Sequence, residues 1–452
     1  MAGIRSTIPA SNSCFGHNVG LSSPDSTVQQ ESTASSPSVQ DDVCTASLSQ
    51  GRGTRGAPGA DRLSRGRMML FGISLILVAL NLRTLFPSFA VLLPEIARDL
   101  ELSASGASYL TTLPVLCMGV FAPLAAQWSQ RIGPDRTLLG AILVLSAAIA
   151  LRGAGLPGLY LGTLLGGAGI ALGNVLLPVI IKRDFARHTG IMTGFYTMAI
   201  CAGAAIAAAA TLPLSASLSG SWTAGLVFWS LPAGAAALAW MLQAKHFAPV
   251  GPVRLRKGGT GIWRQPLAWY VTGFMGLQSS LAFSVLGWLA PILRERGMEG
   301  VDAGLVVSIL ILAQIAGCLV VPIIAMRCRS QRALATTLSA MAVAGILAMV
   351  FAPLSAVWPW ALVQGVGQGG LLACALTIVV LRSPDVRVAA QLSAMSQSVG
   401  YAIAALAPWT IGALRDWTGG FTSTGPLFIV IGVGLFLTGW GAGRHAVLPT
   451  SA

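Results

Sequence analysis

The chain has 452 residues, 54% of them apolar and only 10% charged, with a formal net charge of +13. Soluble domains carry roughly 25% charged residues, so this balance excludes an ordinary globular enzyme and marks an integral membrane protein. The excess of Lys and Arg sits between apolar runs, where it suits anionic lipid headgroups and leaves no basic patch for nucleic acid.

Residues 1–67 are rich in Ser, Thr, Gln and Gly and contain no apolar run, the composition of a disordered tail. They lack the h-region of a secretory signal. Met68 and Met69 open the first apolar run directly, so the tail reads as a dispensable extension or a regulatory segment. From there the chain alternates apolar runs near the ~20 residues that an α-helix needs to cross a bilayer. Twelve spans are expected, at 68–92, 106–128, 136–153, 157–181, 190–212, 223–243, 266–290, 303–326, 332–352, 356–381, 388–411 and 424–441. The pattern is not that of ~10-residue alternating barrel strands. The longest gap, 244–265, separates a six-helix half at 68–243 from another at 266–441. It reads as a cytoplasmic linker, and 442–452 as a short tail.

Basic residues set the orientation, because short cytoplasmic loops retain Lys and Arg. With the N-terminus inside, inner loops hold Arg131, Arg136, Lys182, Arg183, the linker cluster, Arg327, Arg329, Arg332, Arg382 and Arg387. The outer loops hold only Arg98, Arg152, Arg294, Arg296 and Arg415. Both termini are therefore expected in the cytoplasm.

The halves repeat each other. LLPEIARDLELSASGASYL at Leu92 lies over WLAPILRERGMEGVDAGLV at Trp288, with Pro94 on Pro291. Parallel six-helix repeats flanking a midplane site are a transporter architecture. The glycine-rich runs GTLLGGAGIALGN at Gly162 and GVGQGGLLACAL at Gly365 lie inside spans, so they read as close helix contacts and not as dinucleotide fingerprints. HExxH, GxSxG and phosphate-loop motifs do not occur, nor do paired carboxylates within spans. An enzyme is not expected. The seven cysteines show neither framework nor metal spacing, and no cofactor or metal is expected.

NLR in the first span, LLPEI at its end, LTTLPVLCMGVFAPLA in the second and SAMSQSVGYAIAALAP in the eleventh carry a family resemblance. The chain resembles the cyanate and 2-nitroimidazole transporter group (CynX/NimT type) of the major facilitator superfamily. The resemblance implies an all-α fold of twelve helices in two pseudo-symmetric halves, a small-molecule substrate and transport across the inner membrane. It also implies a gating role for the loop QRIGPDR, which keeps Arg131, Gly133 and Arg136 but has Gln130 and Pro134 where relatives place an acid and a base. The group usually follows NLR with proline. Here Thr84 stands there and Pro87 comes three residues later, which moves the expected bend about one turn outward.

Polar residues inside spans are the candidate site. The offset that superposes Pro94 on Pro291 carries Asn81 onto Gln278, a shared midplane position. Gln364 and Gln368 share one helix face; Gln397, Ser398 and Tyr401 cluster in span eleven, Tyr196 and Thr197 lie in span five, and Asn174 lies in span four. Each could instead bond a neighbouring helix; together they describe an uncharged polar cavity. All 15 acidic residues fall in the tail, in loops or at span ends, so no midplane carboxylate is available for proton coupling. Arg83 is deep in the first span and points ~200° away from Asn81 on a regular helix. It either binds helix-end carbonyls or a tyrosine, or receives an anion. The expected function is secondary transport of a small anion or polar solute by a monomer. A proton-coupled exporter of drugs or amphiphiles and a transport-dead sensor are the alternatives.

Overall fold

In lipid each backbone N–H and C=O must be paired within its own segment, which makes helices of the apolar runs. The computed structural model describes residues 65–185, 189–218, 220–243, 260–384 and 386–449. Expectations for 1–64 and for most of the linker fall outside these residues. The first six spans are α1 (Arg65–Asn81) with α2 (Leu85–Asp99), α3 (Ala104–Ile132), α4 (Pro134–Leu151), α5 (Gly155–Asp184), α6 (Thr189–Ser217), and α7 (Trp222–Val227) with α8 (Ser230–Met241). The second six are α9 (Pro266–Glu295), α10 (Gly300–Arg327), α11 (Arg332–Phe351), α12 (Val357–Leu381), α13 (Val386–Thr418) and α14 (Thr424–Ala442).

Eleven helical stretches among the described residues are long and apolar enough to cross a membrane. The twelfth, α13, is 33 residues long but more polar, and it packs along α3 and α9. Most helices run a few residues past the apolar spans because their ends continue beyond the hydrocarbon core. Ser103 caps α3 by accepting from the Gly106 N–H at 3.0 Å. Gly133, at φ 94°, turns the chain between α3 and α4, and Pro134 starts α4 where a missing N–H does no harm.

Two ends of the bundle can be named from connectivity. One, here the terminal face, carries the start of α1 and the end of α14; the other is the opposite face. At the terminal face Arg183 of α5 makes a bidentate bridge to Asp135 of α4, both bonds 2.7 Å. At the matching place in the second six helices, Arg382 of α12 bonds the Gln331 side chain and the Ala442 and Gly443 carbonyls. The glycine-rich runs pack α5 on α4 and α12 on α10; a Cβ at Gly369 would overlap the Gln314 carbonyl.

Candidate functional site

The first span is not one helix. After Asn81 the ladder opens: the Leu82 N–H turns back to the Ala79 carbonyl at 3.2 Å, and helix resumes with Ser88 N–H to Thr84 carbonyl at 3.2 Å. Three residues account for the gap. Pro87 has no N–H for the Arg83 carbonyl and crowds it. Thr84 Oγ1 donates to the Asn81 carbonyl (3.0 Å), and Asn81 Nδ2 to the Leu77 carbonyl (2.8 Å), so side chains occupy acceptors that the ladder needs. Arg83 sits in this turn.

The Arg83 side chain is half-buried and has no hydrogen bond or ion pair with any described residue. Its charge acts on Tyr196 and Cys201 of α6, Cys318 of α10 and Tyr401 of α13. Residues of three other spans, drawn from both halves, thus lie within electrostatic range of one guanidinium. The approach of α6 is enforced at Gly203, where a Cβ would overlap the Leu80 carbonyl of α1, just before the turn. Tyr401 packs edge-on to Phe283 (centroids 6.1 Å), and Phe283 meets Phe86 at 5.3 Å. An aromatic layer therefore lies beside Arg83 toward the opposite face.

The other polar residues divide into two groups. Tyr196, Tyr401, Gln397 and Asn174 are half-buried. Gln397 Nε2 donates to Ser393 Oγ on its own helix at 2.8 Å, and Asn174 has no side-chain hydrogen bond among the described residues. Asn81, Gln278, Gln364 and Gln368 are more deeply buried, each 3% exposed or less. Asn81 reaches the Pro232 carbonyl of α8 at 3.3 Å. Gln368 Nε2 donates to the backbone and side-chain oxygens of Gln278 at 3.0 and 3.2 Å, and Gln278 also bonds Ser279. Gln364 packs against Gly345 of α11. None of these four amides bonds Arg83, and Gln364 has no side-chain hydrogen bond among the described residues. The repeat offset paired Asn81 with Gln278 without saying which neighbour each would face.

Arg131 and Arg136 of the expected gating loop are exposed and form no hydrogen bond or ion pair among the described residues. Asp135, between them, is the residue that loop reading passed over: 2% exposed, it holds Arg183 and its carbonyl accepts from Trp240 Nε1 at 3.1 Å. Arg152 also departs from expectation. Read as an outer-loop residue, it is 1% exposed, donates to the Leu85 carbonyl at 3.3 Å and lies 5.3 Å over the Phe89 ring. It stiffens the first turn of α2 beside the break.

Comparison with known proteins agrees with this architecture. The Major Facilitator Superfamily model matches residues 75–408. The chain is 36% identical to the uncharacterized transporter YycB of Bacillus subtilis over 82% of this chain and 92% of the relative. It is 36% identical to the 2-nitroimidazole transporter of Escherichia coli over 79% and 91%. Against the Escherichia coli cyanate transport protein CynX it is 31% identical over 80% and 94%. Among solved structures, a bacterial homologue of the lysosomal transporter Spinster in an inward-facing conformation superposes with TM-score 0.66 at 15% identity, covering 86% of this chain and all of that one. A D-xylose–proton symporter gives 0.66 at 14%, covering 84% and 97%. The chain belongs to the major facilitator superfamily. It is a multi-pass membrane transporter with relatives in the cyanate and 2-nitroimidazole group, and not an enzyme.

Proposed function

We propose that this protein moves a small anion or small polar organic solute across the bacterial inner membrane by alternating access, with Arg83 holding the solute between the two halves. The observation that carries this reading is the Arg83 guanidinium in the break of the first span, without a hydrogen bond or ion pair among the described residues and within electrostatic range of α6, α10 and α13. A planar fork of donors in a water-poor site binds a carboxylate, cyanate or nitro group by paired charge-assisted hydrogen bonds. Tyr196, Tyr401, Gln397 and Asn174 add neutral polar walls. The two relatives named for cyanate and 2-nitroimidazole transport fit one requirement, a small planar solute rich in acceptors.

With the terminal face in the cytoplasm, which the Lys and Arg distribution supports, contacts between the two halves tie the outer side. There Glu95 of α2 bridges Arg294 of α9 at 2.6 Å, and Asp416 of α13 accepts from the first N–H groups of α3 at 2.9 and 2.7 Å. Thermal unfolding of the purified monomer, screened over cyanate, nitrate, small carboxylates and nitroimidazoles, tests the reading, because a ligand of the folded state raises its stability. Stabilisation by one of these and its loss in Arg83→Ala is expected. Stabilisation by quaternary ammonium compounds alone would replace this reading with that of a drug exporter.

A further inference from the structure

A second cavity, of about 500 Å3, opens at the opposite face between α2, α3, α9 and α13. Its size suits a small ligand, and its lining is unusual for a membrane protein: Arg98, Arg294 and Arg415 face it with one carboxylate, Glu295, and with Trp288 and Phe421. Two of the three guanidiniums are engaged. Arg294 holds Glu95 at 2.8 and 2.6 Å and the Val91 carbonyl at 3.0 Å. Arg415 gives Nε and Nη2 to Glu295 at 3.2 and 3.1 Å and lies 5.7 Å over the Phe421 ring. Arg98 is exposed and has no hydrogen bond or ion pair among the described residues. Arg98 is thus the one guanidinium of the three without an ion pair among the described residues, and its positive charge draws anions toward the recess.

Its position along the chain matters as much as its charge. Arg98 ends the same 15-residue helix, α2, that begins two residues after Arg83, a separation of ~22 Å at 1.5 Å per residue. Between them stands the aromatic layer of Phe86, Phe283 and Tyr401. We propose that the cavity is a second anion station, in which a small anion is held by Arg98 and Arg415. Glu295 is its built-in competitor, since an anion that engages Arg415 fully must displace that carboxylate. Binding here does not depend on Arg83; only the anion's onward passage rests on the transport reading.

The test uses full-length Ala97→Cys protein in neutral lipid nanodiscs, with Leu102→Cys as a second reporter should the first fail to fold. Both positions line the cavity. Labelling by anionic sulfonatoethyl and by cationic trimethylammonioethyl methanethiosulfonate is read at the new cysteine by mass spectrometry, which separates it from the native thiols. The anionic reagent should react about tenfold faster relative to free cysteine, and Arg98→Gln should remove most of that preference. Millimolar nitrate should slow labelling, and Arg98→Gln should abolish this protection. Arg83→Ala should change none of these, so a failed transport reading leaves the result interpretable. Equal rates for the two reagents, a preference indifferent to Arg98→Gln, or labelling that nitrate does not slow would each overturn the proposal.

Discussion

The first spans of the two halves occupy repeated positions, and they behave differently. Alignment of Pro94 with Pro291 puts Asn81 on Gln278, Arg83 on Ser280, Thr84 on Leu281 and Pro87 on Ser284. The second-half version, α9, is one continuous helix of 30 residues. Its Gln278 is knitted to Gln368, and Ser280 bonds back to the Gly276 carbonyl at 3.0 Å. The first-half version breaks at 82–84 and leaves a guanidinium without a hydrogen-bond or ion-pair partner among the described residues. Both continue through a second proline, Pro94 or Pro291, so a proline alone does not break the span. The combination of Asn81, Thr84 and Pro87 does, and on the proposed reading it gives the first half the binding arginine while the second supplies a continuous wall.

The largest effect expected from breaking this comparison is at Arg83 itself. Arg83→Ala should lower uptake into proteoliposomes by about a hundredfold or more, since two charge-assisted hydrogen bonds at ~1.5–3 kcal/mol each exceed the ~1.4 kcal/mol that makes a factor of ten. Arg83→Lys should recover only a small part, because an ammonium lacks the fork. The counterpart Ser280→Ala should transport near normally. Equal losses at both positions would mean that the two halves share the binding.

Pro87→Ser puts the second-half residue into the first half. It returns a donor to the Arg83 carbonyl, so the helix should straighten and stability should rise by ~1–3 kcal/mol, the usual penalty of an interior proline. Uptake should fall by roughly tenfold to a hundredfold as Arg83 swings out of position. A more stable variant with unchanged uptake would show that the break is not needed to present the arginine.

Much of this was legible in the sequence. Spans, their number and the oddity of Arg83 follow from composition, because a charge in a run such as LILVALNLRTLF has to be explained by protein or substrate. Partners were not legible. Asn81 meets Pro232 and Gln278 meets Gln368 across 151 and 90 residues of chain, and a helix has many faces on which a buried amide can be satisfied. Arg152 lies just past α4, in the connection to α5, but a long side chain at a span end can lie in water or fold back on its neighbours, and its spacing does not distinguish the two. In QRIGPDR the exposed arginines drew attention, whereas the buried member is Asp135.

That aspartate supports a smaller version of the same comparison. The terminal-face clamp is ionic in the first half, Arg183 with Asp135, and neutral in the second, Arg382 with Gln331. Asp135→Asn makes the first resemble the second. One of two bonds to Arg183 survives, so unfolding stability should drop by about 1–2 kcal/mol, with transport by the folded protein little changed. Gln331→Ala should cost a similar amount and leave Arg382 bonded to its two carbonyls. A loss at Asp135 confined to transport, with no change in stability, would make the pair a moving gate instead of a fixed clamp.

The smallest expected effect lies at the opposite face, where α2 is tied to α9 by Glu95 and Arg294 and, beside them, α13 is tied to α3 by Asp416. Burial acts to raise the Asp416 pKa. Against it, the Ser105 side chain, the backbone N–H groups of Ser105 and Ala104, and the Arg415 charge hold the carboxyl below its ordinary value. A carboxylate whose folded pKa is depressed adds stability above its unfolded pKa, ~3.9, and loses it as pH falls through the folded value. Wild type should therefore unfold at a higher temperature than Asp416→Asn by a constant margin above about pH 5, and the margin should close below about pH 4. Because the group is exposed, that margin should be modest. It should also be independent of the broken span, so Pro87→Ser with Asp416→Asn should show additive shifts. A margin that persists into acid would mean that the side chain acts through packing or a neutral hydrogen bond; non-additive shifts would mean that the latch at the opposite face and the break at Arg83 move as one element.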